Sequence, residues 1–143
     1  MSVEVRVGRV ADLPALIALR HEVFCVEQGV PVELERDGRD ATAMHLVAID
    51  AGTVIGTCRI LAGRETWRLG RMAVRVDRRA DGVGKRLIDL AHREARAAGA
   101  RRVSLAAQVP VQGFYERQGY ISQGEVFMEA GIPHILMDCE LSD

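Results

Sequence analysis

Cysteine is scarce in this 143-residue chain, which carries only Cys25, Cys58 and Cys139. Three widely spaced thiols form neither a disulfide framework nor a metal-ligand pattern, so no metal is expected and a reducing, cytoplasmic setting is. Each thiol is expected to behave as a small buried hydrophobe. Net charge is also nearly absent, at −1, which argues against a general nucleic-acid or membrane binder. No apolar run approaches membrane-spanning length, and no basic-then-apolar signal stands at the N-terminus. Neither a repeat nor a second domain is visible, so residues 1–143 are expected to form one domain.

The chain does have enough apolar residues, 48%, to build a single core, and 27% charged residues to keep it in solution. Arginines clump at 68–86 and 93–102, whereas Glu27, Glu33, Glu35, Asp37 and Asp40 make an acidic region. Val3–Val7 alternates apolar and charged residues as a half-buried strand does. Asp12 is placed to cap the next helix, with Pro14 in its first turn and Leu13, Leu16, Ile17, Val23 and Phe24 on its buried face. Gly29 to Asp40 reads as a polar connection. Strands come next at Leu46–Asp50 and Thr53–Leu61, joined by a tight turn.

The strand from Thr66 to Val76 changes parity. Trp67 and Leu69 share one face, Met72 and Val74 the other, which predicts a β-bulge around Gly70-Arg71. A long amphipathic helix then runs to about Ala98 and ends at Gly99. Arg102–Ala107 is a short strand, Val111–Gln118 a short helix, and Tyr120–Met128 with Ile135–Glu140 a final antiparallel pair. The order β-α-β-β-β-α-β-α-β-β is that of a mixed α/β sheet with helices on its faces.

The stretch with most information is Arg79-Ala80-Asp81-Gly82-Val83-Gly84-Lys85, between the parity-switching strand and the long helix. A glycine-rich turn at a helix start presents unpaired N–H groups and the positive end of the helix dipole, a setting for a phosphate or pyrophosphate. The two glycines let a ligand come close to the backbone. A P-loop is excluded, because Arg79 stands where its first glycine belongs and Arg86 where its Ser or Thr belongs. A dinucleotide fingerprint fails at Leu87, where a third small residue is needed.

Arg79-x-x-Gly82-x-Gly84 after a strand with Met72-Ala73-Val74 resembles the acetyl-CoA-binding motif of the GNAT N-acetyltransferases. Gln108 to Tyr120 resembles that family's second signature, with Gln108 in place of its Asn and Tyr120 in place of its Phe. Arg20-His21-Glu22-Val23-Phe24 with Glu27-Gln28, Asp37, Asp40, His45 and Pro133-His134 looks like the ElaA/YjcF-like branch. The ending, Gly124 to Met137, is similar to glyphosate-type N-acetyltransferases, in which the matching His is implicated as a general base.

The resemblance implies the GNAT acyl-CoA N-acyltransferase fold, a mixed, mostly antiparallel sheet with helices on both faces. It implies acetyl-CoA as cosubstrate, with its pyrophosphate on Arg79, Gly82, Val83, Gly84 and Lys85. The pantetheine arm would lie along Met72, Ala73 and Val74, near Gln108, Phe114 and Tyr115, with the Val74 N–H aimed at the acetyl oxygen. It implies direct acetyl transfer to the amine of a small molecule, without nucleic acid or membrane, and leaves a homodimer open. Tyr115 is the expected acid, because a phenol with a pKa near 10 stays protonated at neutral pH.

His134 and Glu27 both stand as the general base. Arg20 and Arg71 are expected to grip a carboxylate or phosphate on the acceptor, with an ion pair to a neighbouring acid as the alternative for Arg20. His45 is expected to be structural, and His21 and His92 to face solvent. Trp67 and Phe127 fit core packing better than an acceptor pocket, and the acidic run from Glu33 fits a solvated loop better than a lure for a cationic acceptor. Two other readings stay open: a non-catalytic acyl-CoA-binding or regulatory module, and a transferase for longer acyl groups.

Overall fold

A computed structural model describes residues 2–142. The strands are β1 (Val3–Val7), β2 (Met44–Asp50), β3 (Thr53–Leu61), β4 (Thr66–Val74), β5 (Arg102–Gln108), β6 (Ile121–Glu129) and β7 (Ile132–Glu140). The helices are α1 (Leu13–Arg20), α2 (Val32–Glu35), α3 (Val83–Ala97) and α4 (Gln112–Arg117). The order matches the sequence expectation, with two additions. α1 continues into a seven-residue π-helical segment, His21–Glu27, and the expected polar connection contains the single turn α2. β7 also starts earlier than expected, so Pro133 and His134 lie inside it.

Asp12 does not cap α1. Its carboxylate turns back to the Arg6 guanidinium at 2.7 and 3.1 Å and to the Arg9 N–H at 2.7 Å. A full positive charge out-competes a helix N–H for the same oxygens, and it holds Asp12 down to about 2.

The seven strands form one sheet in the order β1-β2-β3-β4-β5-β7-β6, antiparallel everywhere except between β4 and β5. α3 lies on one face, with Leu87, Ile88 and Ala91 fully buried against Leu46, Ile60 and Val103. Each such Leu or Ile contributes roughly 2–3 kcal/mol by leaving water. α1 covers the other face over β3 and β4, where Leu19 and Val23 meet Ala73. Among the described residues no helix is long and apolar enough to cross a membrane.

The parity switch in β4 is a bulge. Thr57 pairs with Ala73 and Arg59 with Gly70, so the single residue Cys58 opposes both Arg71 and Met72. Arg71 adopts φ 50°, which a non-glycine residue rarely does. The extra residue keeps Trp67 and Leu69 before it, and Met72 and Val74 after it, against the α3 core, while Ala73 turns to α1.

β4 pairs with β5 only from Thr66–Arg102 to Arg68–Ser104. Beyond that point the strands part, and among the described residues no strand pairs with the rest of β4 on its β5 side. Close packing of α3 over the sheet depends on Gly56, where an added Cβ would stand 2.7 Å from Val83 Cγ1. Gly56→Ala should therefore destabilise the protein by about 1–3 kcal/mol in chemical denaturation, through overpacking rather than lost contacts.

Candidate active site

The gap between β4 and β5 opens into a cavity of about 880 Å³. One end is the start of α3. Gly82, at φ 77°, precedes the helix with open space where a Cβ would be, and no side chain caps the first turn. Its N–H groups are therefore free to face an anion. Gly84 is glycine for a different reason. An added Cβ would meet the Phe114 ring at 3.1 Å, so this residue makes room for protein rather than for ligand.

Along the middle of the cavity runs the bare edge of β4. The Arg75 N–H donates to the Ile55 carbonyl on the β3 side at 2.8 Å. Strand alternation turns the Val74 amide and carbonyl the other way, into the gap. The Val74 carbonyl there accepts a hydrogen bond from Arg79 Nε at 2.9 Å. Met72, Val74, Arg79, Gly82, Gly84, Lys85, Gln108, Phe114, Tyr115 and His134 all line this one cavity. Ala73 and Val83 do not. Their side chains belong to the packing under α1 and α3, so only backbone remains for the role expected of them.

Tyr115 is 8% exposed, its ring edge-on to Phe114 and Tyr120. No hydrogen bond to its hydroxyl occurs among the described residues, although it lines the cavity. Burial, with a smaller contribution from Cys58, pushes its pKa above the ordinary phenol value, so the hydroxyl keeps its proton. Tyr120 is held by His92, whose Nε2 stands 2.7 Å from the Tyr120 hydroxyl. His92 is thus half-buried rather than solvent-facing, and burial lowers its pKa.

His134 is 7% exposed and stacks on Phe127 at 6.0 Å. Its Nδ1 lies 2.7 Å from the Ile132 carbonyl oxygen. A carbonyl can only accept, so Nδ1 carries the hydrogen and Nε2 of the neutral ring keeps a free lone pair. Glu129 Oε2 stands 3.8 Å from that Nε2.

Glu27 is not placed as a base. Both of its oxygens are taken by Arg79, at 2.8 and 2.9 Å, and it does not line the cavity. The next residue, Gln28, accepts a hydrogen bond from Gln108 Nε2 at 2.8 Å. Two successive residues thus reach both sides of the gap, one to the loop after β4 and one to the end of β5. Gln28 was not among the expected site residues. Its sequence signal was its place in the Glu27-Gln28 pair that carries part of the ElaA/YjcF-like resemblance.

Arg20 is corrected as well. It is 1% exposed, with its guanidinium on Glu35 at 2.6 and 2.8 Å and on Asp40 at 2.7 Å, so no acceptor reaches it. The ion-pair alternative holds, with other partners than Glu27. Arg71 does line the cavity, but it is held by the Glu35 carbonyl at 3.1 Å and by Asp37 at 3.3 Å. Arg59 joins Asp37 at 2.8 Å and Asp40 at 3.1 Å. The acidic run is therefore a scaffold for buried arginines, not a solvated loop. His45 is structural, its Nε2 2.9 Å from the Asp40 carbonyl oxygen. Trp67 is core, donating to the Gly63 carbonyl at 3.1 Å. Cys58 and Cys139 are buried and Cys25 is partly so.

A family model described as an acetyltransferase (GNAT) domain matches residues 10–141. The chain belongs to the GNAT acetyltransferase family. The uncharacterized N-acetyltransferase YjcF of Bacillus subtilis is 35% identical over 121 residues, covering 83% of this chain and 86% of that one. Escherichia coli ElaA is 31% identical with a TM-score of 0.87, over 97% of this chain and all of that one (100%). An acyl-CoA N-acyltransferase from Pseudomonas aeruginosa is 32% identical with a TM-score of 0.85, over 96% and 99% of the two chains. The GNAT fold and the resemblance to the ElaA and YjcF branch are thereby established.

The ionic contacts of this GNAT domain lead to two expectations. The Arg59 hydrogen bond holds Asp37 well below its ordinary value of 3.8. Its contribution to stability is present above that value and is lost as pH falls below it. Asp37→Asn should lower the melting temperature at neutral pH and flatten its decline toward about pH 3. Glu27→Gln removes an exposed pair, so it should cost less than about 1 kcal/mol in stability. Amide hydrogen exchange across residues 24–30 should nonetheless speed up.

Proposed function

We propose that this protein is an acetyl-CoA-dependent N-acetyltransferase that acts on the amine of a small molecule by direct attack in a ternary complex. The observation that carries this reading is the convergence on one gap of an uncapped helix start, a bare strand edge, a protonated phenol and a base-ready imidazole. The name of the Pseudomonas aeruginosa relative, an acyl-CoA N-acyltransferase, supports it. The pyrophosphate would sit at the start of α3, near Arg79 and Lys85, and the pantetheine arm along Met72 and Val74 as an added strand.

In this reading each residue has one task. His134 Nε2 takes the proton that the attacking amine must lose, and Glu129 steadies the imidazolium that forms. The Val74 N–H stabilises the oxyanion, worth about 3 kcal/mol in such sites. As the C–S bond breaks, Tyr115 gives its proton to the thiolate and regains one from solvent. The cysteines need no part, since Cys58 is buried and burial raises its thiol well out of the nucleophilic range.

Thiol release from acetyl-CoA with a panel of amines tests the activity. With an acceptor in hand, Tyr115→Phe and His134→Ala should each lower kcat by roughly 100-fold or more. Acetyl-CoA binding, read by calorimetry, should stay within a few-fold. Full turnover in both variants would remove these roles. Tight acetyl-CoA binding with no thiol release across the panel would favour a non-catalytic binding module.

A further inference from the structure

The arginines around the cavity divide into those with an acidic partner, Arg79 with Glu27 among them, and those without one. Arg20, Arg59 and Arg71 are matched by Glu35, Asp37 and Asp40 in a closed network. Arg39 and Arg68 line the same cavity, are exposed, and have no ion pair among the described residues. The remaining acid of the lining, Glu129, stands by His134 on the other wall. The far end of the cavity therefore carries positive charge that the protein does not neutralise.

The fold sets both residues near Arg59 on the cavity wall. Arg59 pairs with Gly70 and Leu61 with Arg68, so Arg59 and Arg68 share a face as diagonal neighbours, roughly 7–8 Å apart. Asp37 binds Arg59 with one carboxylate oxygen at 2.8 Å, and the same oxygen accepts the Arg39 N–H at 3.1 Å. Arg39 thus stands beside the same patch. Resting on the acetyl-transfer reading above, we propose that the acceptor is an anionic amine, whose carboxylate or phosphonate is gripped by Arg39 and Arg68 while its amine faces His134. Arg68 lies four residues from Met72 with the bulge between them, so less than about 13 Å along the strand, and the long arginine stems shorten that gap. The anion and the amine of the acceptor are accordingly several ångströms apart.

The test uses four probes on the full chain saturated with CoA, so that the helix-start site is filled. They are β-alanine, aminoethylphosphonate, β-alaninamide and putrescine, each titrated with heteronuclear NMR of the arginine side-chain N–H signals and with calorimetry. β-Alanine or aminoethylphosphonate should shift the Arg39 and Arg68 signals, and their relative Kd tells carboxylate from phosphonate. The neutral amide and the diamine should bind at least about tenfold more weakly. The double variant Arg39→Gln, Arg68→Gln should weaken the anionic probes about tenfold or more and leave the other two unchanged. Because both side chains are exposed, an unchanged melting temperature will confirm an intact fold.

The proposal is overturned if the amide or the diamine binds as well as the anions, if neither anion binds, or if the double variant keeps wild-type Kd values for the anions. Arginine-dependent binding without thiol release from acetyl-CoA would leave the anion grip of Arg39 and Arg68 standing and sink the acetyl-transfer reading. Turnover of putrescine, with no preference for anions, would do the reverse.

Discussion

The site depends on β4 and β5 being held together at one end and apart at the other. Their parallel pairing covers three residue pairs and stops at Arg68–Ser104. An unpaired strand edge inside a protein is costly, because each stranded N–H and C=O loses a partner. Here the cost is confined to the few residues after Arg68, a stretch that includes the bulge, where Arg71 absorbs the extra length in a left-handed conformation. The same edge that weakens the sheet is what an extended ligand can complete.

The bulge is kept in place by charge rather than by apolar packing. Arg71 ties it to the Glu35 carbonyl and to Asp37, and those acids are in turn fixed by Arg20 and Arg59. Buried ion pairs of this kind contribute little net stability, since desolvation offsets most of the attraction. Their value lies in geometry. Breaking any one member leaves its partner charged in a poor solvent, so the turn α2 and the bulge of β4 are held in one arrangement. This explains how a segment as polar as Gly29 to Asp40 can be an ordered wall of the cavity.

Local patterns were readable in the sequence, and long-range pairings were not. The parity change between Leu69 and Met72 announced the bulge, and Gly82 announced the turn that starts α3, because backbone geometry is written in neighbouring residues. Gly84 looked like a second ligand contact, but its small size serves Phe114, thirty residues away. Arg20 looked like a substrate ligand for the same reason. A guanidinium on a helix carries no mark of whether Glu35 and Asp40 will fold over it. His92 likewise became half-buried only through Tyr120. In each case a distant partner decided the environment of a residue whose chemistry was plain.

The role of Glu27 changes once its distant partner is known. As a free carboxylate it rivals His134 for the role of base, but a bidentate pair with Arg79 occupies both of its oxygens. The pair also links the π-helical segment to the loop before α3, while Gln28 links it to Gln108 at the end of β5. These contacts bridge the two strands where the sheet has stopped doing so. π-Helical turns often occur at functional sites, since an added residue shifts the register of every later position in the helix. Here that shift ends the helix with Glu27 and Gln28 facing opposite sides of the gap. The residue read as chemistry is better understood as a brace, and of the two expected bases only His134 lines the cavity.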